Sequence, residues 1–135
     1  MRTRTLLIGL TVAATLGSFA PLGAQSGDWQ IPADARELRS PMAQPLPPDA
    51  VKKGKDLFGK NCQKCHGADG TGHGPYSDPA HPAANLTSLS LEDNPDGVVF
   101  YKVWNGKKPM PAFKSLLTKD EVWAVVEYIR TLRQP

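Results

Sequence analysis

Cys62, Cys65 and His66 stand together as Cys62-Gln63-Lys64-Cys65-His66, and no other stretch of the chain gathers so much reactive chemistry. Two thiols separated by two residues can add to the two vinyl groups of a haem, and the adjacent histidine then lies under the iron; C-x-x-C-H is the attachment spacing of c-type haem. Zinc is a rival, because two cysteines and a histidine make three ligands. The chain holds no second cysteine pair, however, so a further ligand would have to come from His73 or His81. A thioredoxin-like dithiol is the second rival, and it expects a βαβ setting that the sequence does not offer.

A six-coordinate haem iron needs one more ligand. Met110 lies in Gly106-Lys107-Lys108-Pro109-Met110-Pro111-Ala112-Phe113. A methionine is usually core filler, but one between two prolines cannot belong to a helical stripe. The prolines restrict the backbone and remove two hydrogen-bond donors, which would hold the thioether in one place. Thioether sulfur is a soft, neutral ligand, and His/Met ligation raises the reduction potential. Met42, the other internal methionine, falls in a Pro-rich segment that reads as flexible. His73, in a Gly-rich turn, reads as an exposed loop residue. His81, between Pro79 and Pro82, reads the same way and is the alternative axial ligand. Trp104 can offer its indole N–H to a haem propionate or serve as a core aromatic. Tyr76 and Asn85 are candidates to line the loop at the haem edge.

The elements that must position these residues read as helices, with no convincing strand. A helix is predicted from Pro48 to Lys60, where proline suits the first turn and Val51, Lys55 and Phe58 share a side. Gly54 and Phe58 lie four apart on one face. A mid-helix glycine costs up to about 1 kcal/mol against alanine, so another helix must approach closely there. Residues 67–95 are rich in Gly, Pro, Asn, Asp and Ser and form a long functional loop. Asp96 to Asn105 forms a short helix with Val99, Phe100, Val103 and Trp104 as its apolar surface, stopped by Gly106. The last helix starts at a capping box, Thr118 with Glu121. Its apolar stripe is Val122, Val125, Val126, Ile129 and Leu132, with Lys119, Glu127 and Arg130 left to solvent. The domain is all-α, with too few large apolar residues for its loops, and reads as built around a cofactor.

Residues 1–24 read as a cleaved signal peptide: Arg2 and Arg4 precede an apolar run that is short for a bilayer span, and Leu22-Gly23-Ala24 offers a cleavage site. The mature chain is then expected in the periplasm, with no membrane span. Residues 25–47 read as a Pro-rich extension, in which 33–37 permits one short helical turn while Trp29 and Ile31 suit a strap or a partner contact. The domain proper covers 48–135. Of 16 basic and 13 acidic residues, Arg2 and Arg4 belong to the leader. The mature chain is therefore near neutral, and nucleic-acid binding does not follow. Its lysines are nonetheless grouped: Lys52, Lys53, Lys55, Lys60 and Lys64 approach the cysteines, and Lys102, Lys107, Lys108, Lys114 and Lys119 surround the methionine loop.

Taken in order, Cys62-Gln63-Lys64-Cys65-His66-Gly67, Gly70-Thr71-Gly72-His73-Gly74-Pro75 and Lys108-Pro109-Met110-Pro111-Ala112-Phe113 resemble the class I monohaem c-type cytochromes of bacteria, over roughly Pro48 to Leu132. The resemblance implies the class I fold, in which N- and C-terminal helices cross and loops wrap one covalent haem c. It implies that Gly54 and Phe58 meet Tyr128 on the last helix. It also implies that Pro75 gives its carbonyl to the axial histidine, a bond that would fix the imidazole tautomer. The function expected is one-electron transfer rather than catalysis on a bound substrate, with an acidic redox partner protein steered by the lysines. The alternatives are a haem subunit of a larger dehydrogenase or oxidase complex, and a haem enzyme or sensor with an open axial site. The N-terminal extension is the departure from the small members of that family.

Overall fold

The computed structural model describes residues 29–80 and 82–134. Residues 1–28, which include the expected signal peptide, His81 and Pro135 lie outside the described residues. Five α-helices follow in order: α1 (Ala33–Glu37), α2 (Pro48–Asn61), α3 (Gln63–His66), α4 (Asp96–Asn105) and α5 (Lys119–Thr131), with one 3₁₀ turn at Leu86–Ser88. Among the described residues there is no strand. No described helix is long and apolar enough to cross a membrane.

Helix α2 begins with Pro48 at its first position, where a missing N–H costs nothing. Its buried stripe runs Val51, Gly54, Phe58, with Leu57 also packed on the core. Lys55, expected on that side, is exposed because the three- and four-residue steps from Val51 pass through Gly54 instead. At Gly54 α2 lies on the backbone of α5: an added Cβ would overlap the carbonyl of Ala124 and come within 2.9 Å of Tyr128 Cβ. One turn on, the Phe58 and Tyr128 rings meet at 5.3 Å with a 59° tilt. The costly glycine is thus the position at which the two helices can touch.

Gly54→Ala therefore gives a clean expectation. Helix propensity alone favours alanine by about 1 kcal/mol, whereas overpacking against a fixed neighbour costs typically 1–3 kcal/mol. The neighbour here is a carbonyl that cannot swing aside, so the holoprotein should lose about 2 kcal/mol in a urea unfolding titration. An unchanged or higher midpoint would mean the helices do not meet there.

Helix α5 carries the expected capping box, with Glu121 N–H donating to Thr118 Oγ1 at 3.3 Å and Thr118 N–H donating to Glu121 at 3.0 Å. Those bonds hold the Glu121 carboxyl below the usual carboxylate range. Val122, Val125, Val126 and Ile129 are buried. The flank that periodicity leaves to water is covered as well. Arg130 Nε donates to Asp96 at 2.6 Å and its Nη2 reaches the carbonyl of Asn94, tying α5 to the turn that opens α4. Glu127, three residues earlier, is only 5% exposed.

The extension is packed onto the domain. Ala35 in α1 is buried and Met42 sits against the core cluster, the packing that the strap alternative describes. Lys102 on α4 donates to Asn94 Oδ1 at 2.8 Å and lies over the Trp29 ring at 5.8 Å. Burial, with Arg36 nearby, lowers its pKa.

Candidate cofactor site

The reactive pentapeptide occupies one turn of helix. Cys62 ends α2 and opens α3, and the N–H groups of Cys65 and His66 both donate to its carbonyl, at 3.1 and 3.0 Å. Steps of three and four residues in a helix put Cys62, Cys65 and His66 on one face. Both cysteines are free and half-buried. Burial pushes the Cys62 thiol up to about 12, with Cys65 adding in the same direction, so it is held as S–H.

The loop that follows folds back along this turn. Gly72 N–H donates to the His66 carbonyl at 2.7 Å, Gly74 N–H to Cys65 at 3.0 Å, and Tyr76 N–H to Lys64 at 2.7 Å. Carbonyls left over at a helix end are thereby satisfied by the Gly-rich run itself. The same pattern corrects one expectation. Pro75, between two residues bonded to Cys65 and Lys64, lies exposed beside that turn and is not the partner of His66. Its place is taken by Ala84, whose carbonyl is 3.0 Å from His66 Nδ1. A carbonyl only accepts, so Nδ1 carries the hydrogen and Nε2 keeps its lone pair.

Two features bring Ala84 there. Leu86 N–H donates to the Gly70 carbonyl at 2.7 Å. Gly72, at φ +90°, leaves room for the Ala83 backbone, where a Cβ would collide. Residues 82–84 read Pro-Ala-Ala, and the only sequence signal for their role is that two small residues follow the proline. Burial lowers the pKa of His66, which favours the neutral form that ligation would need, while the Ala84 bond works in the opposite direction.

Met110 sits half-buried against the core cluster, as do Cys62, Leu57, Leu89, Trp104, Leu117 and Leu132. Its loop is closed by Met110 N–H donating to Lys107 at 2.8 Å and is fastened to α4 by Phe113 N–H to Val103 and Lys114 N–H to Trp104, both at 3.2 Å. Trp104 stacks on Phe100 at 5.8 Å and 14°, and Phe100 in turn on Trp123. His73 is exposed, with its Nδ1 3.2 Å from Thr71 Oγ1. Asn85 caps the 3₁₀ turn by accepting from Thr87 N–H, and Tyr76 is 73% exposed. His81 lies outside the described residues.

Cys62 and Met110 pack against one apolar cluster, and Cys65 and His66, its imidazole fixed through Nδ1, share the helical turn that Cys62 opens. That donor set fits a haem, with the thiols for attachment and soft, neutral groups for iron. Among the described residues, which do not include His81, no group of three His, Cys, Asp or Glu side chains is placed to hold a metal ion.

Comparison with known proteins agrees. The profile of the family described as cytochrome C oxidase, cbb3-type, subunit III matches residues 49–129. Cytochrome c6 of Euglena gracilis is 34% identical over 83 residues, covering 58% of this chain and 87% of that protein. Cytochrome c6 of Leptolyngbya boryana is 33% identical over 81 residues, covering 60% and 89%. Among solved structures, a chain of the Kuenenia stuttgartiensis reducing HAO-like protein complex superposes with a TM-score of 0.55 at 28% identity; the match covers 72% of this chain but 47% of that one, about half its length. A sequence motif, a helical fold without described strands and these relatives converge, and the chain belongs to the c-type cytochrome family whose profile it matches, as a class I monohaem cytochrome with covalently bound haem c.

Proposed function

We propose that this protein passes single electrons between redox partner proteins through an iron held by His66 and Met110, in the periplasm after removal of residues 1–24. The reading is supported by an imidazole whose Nδ1 is committed to Ala84 and by a thioether in a loop pinned to the end of α4. The bound haem supplies the one-electron ferric/ferrous couple. His66 would hold the iron through Nε2 and Met110 through its sulfur, a soft, neutral ligand that would favour the ferrous state. Trp104 would offer its indole N–H to a propionate. Leu57, Leu89 and Leu117, half-buried at the edge of the core, would limit water at the haem. With both of these groups on the iron, no substrate would bind there.

The partner on this reading has an acidic docking surface. Lys60, Lys64, Lys108 and Lys114 are exposed on the segments that carry the cysteines and Met110. Lys52 and Lys53 are partly spent on Asp56 and Glu121, and Lys102 is occupied beneath Trp29. Raising the ionic strength from about 0.01 M to about 0.15 M shortens the screening length from about 30 Å to about 8 Å. Stopped-flow reduction by the physiological donor should then slow by about tenfold. A rate indifferent to salt would remove the steering role.

The likeness to one chain of a multi-protein redox complex favours a second reading, in which the same chemistry serves as a haem subunit of a larger assembly. Co-purification of the mature protein with a large redox partner would select it.

A further inference from the structure

We infer that residues 29–42 form a positioning strap for Met110, acting through α4. The strap lies outside the family match, which begins at residue 49, yet it is built into the domain. Gly97, in the first turn of α4, is buried against it: a Cβ there would overlap the carbonyl of Ala35 and come within 2.8 Å of Leu38 Cβ. Trp29 covers Lys102 in the last turn of the same helix. The strap therefore touches α4 at both ends.

The far end of α4 holds the methionine loop. Carbonyls of Lys102, Val103 and Trp104 accept from Gly106, Phe113 and Lys114, so the backbone on both sides of Met110 takes its place from α4. At its start α4 is also tied to α5 through Asp96 and Arg130. A ten-residue helix so bridged moves as one body; releasing the strap frees a flank of it and loosens the loop. Trp29, Ala35 and Gly97 are thus positioning residues for the sixth ligand. The inference rests on Met110 as that ligand.

The test uses the full-length holoprotein in three variants: Gly97→Ala, Trp29→Ala and, for comparison, Ile129→Val, a core change away from the strap. Trypsin cleavage at Arg36 and Arg39 reports release of the strap. The far-red iron–thioether band of the ferric protein, followed against pH, and carbon monoxide uptake by the ferrous protein report the ligand. Gly97→Ala should speed cleavage, raise carbon monoxide uptake about tenfold and lose the band at lower pH. Trp29→Ala should do the same to a smaller extent, and it carries the test alone should Gly97→Ala not fold. Ile129→Val should lower the unfolding midpoint and leave the band in place. A strap that is cut faster while band and uptake stay unchanged overturns the inference, as does a strap that stays protected in both variants. An unmodified protein lacking the band overturns the Met110 assignment and this inference with it.

Discussion

Met110→Ala leaves the haem attached, lowers the reduction potential and opens the iron to external ligands. Attachment through Cys62 and Cys65 does not involve Met110, so the haem should stay on the chain. On the proposed assignment the thioether is the neutral group that favours ferrous iron, and without it water or hydroxide would take the position. Axial ligands govern a span of roughly 0.8 V in haem proteins, and the shift should be a sizeable fraction of it. The surrounding loop should keep its course, because Phe113 and Lys114 bond to α4 through backbone groups that the substitution does not touch. Potentiometric titration and carbon monoxide binding check both effects. An unchanged potential and spectrum would rule Met110 out.

The second large effect comes from removing both attachment thiols. Cys62→Ser with Cys65→Ser should abolish the haem stain on a denaturing gel, and most of the helical signal should go with it. The described domain keeps Leu57, Leu89, Trp104, Met110, Leu117 and Leu132 only partly buried around its core. A covalent haem covers such a rim. A fully buried leucine-sized side chain contributes roughly 1.5–3 kcal/mol, and native domains are stable by only about 5–15 kcal/mol. Leaving several such side chains wet removes most of that margin. Either single variant should retain one thioether and a weaker stain. A double variant that still stains after denaturation would place attachment elsewhere.

Much of this architecture was legible in the sequence because it depends on local signals. The attachment spacing, the capping box at Thr118 and the Gly106 stop each act within a few residues. Gly54 was legible for a different reason: its cost in a helix interior is known, so something had to offset it, and the Ala124 backbone does. What the sequence hid were features made by backbone groups from distant segments. A carbonyl carries no side-chain identity, so Ala84 was invisible and Pro75 took its role by resemblance alone. Arg130 and Lys102 read as solvated because their covers, Asp96 and Trp29, are 34 residues and more away in the chain. The extension read as a tether or a strap, because its prolines favour extended backbone while Trp29 and Ile31 suit packing, and the sequence could not say what they would pack on.

The charge pattern was read more generously from sequence than the structure allows. Once the lysines engaged with Asp56, Glu121 and Trp29 are set aside, the proposed steering set narrows to exposed lysines on the segments that carry Cys65 and Met110. The salt dependence should therefore fall mainly on Lys60, Lys64, Lys108 and Lys114.

Carbon monoxide added to the unmodified ferrous holoprotein tests most directly whether this iron is closed and made for electron transfer. With His66 and Met110 both bound, the spectrum should stay unchanged over the time in which Met110→Ala saturates. Immediate binding by the unmodified protein would show an open axial site and contradict the account.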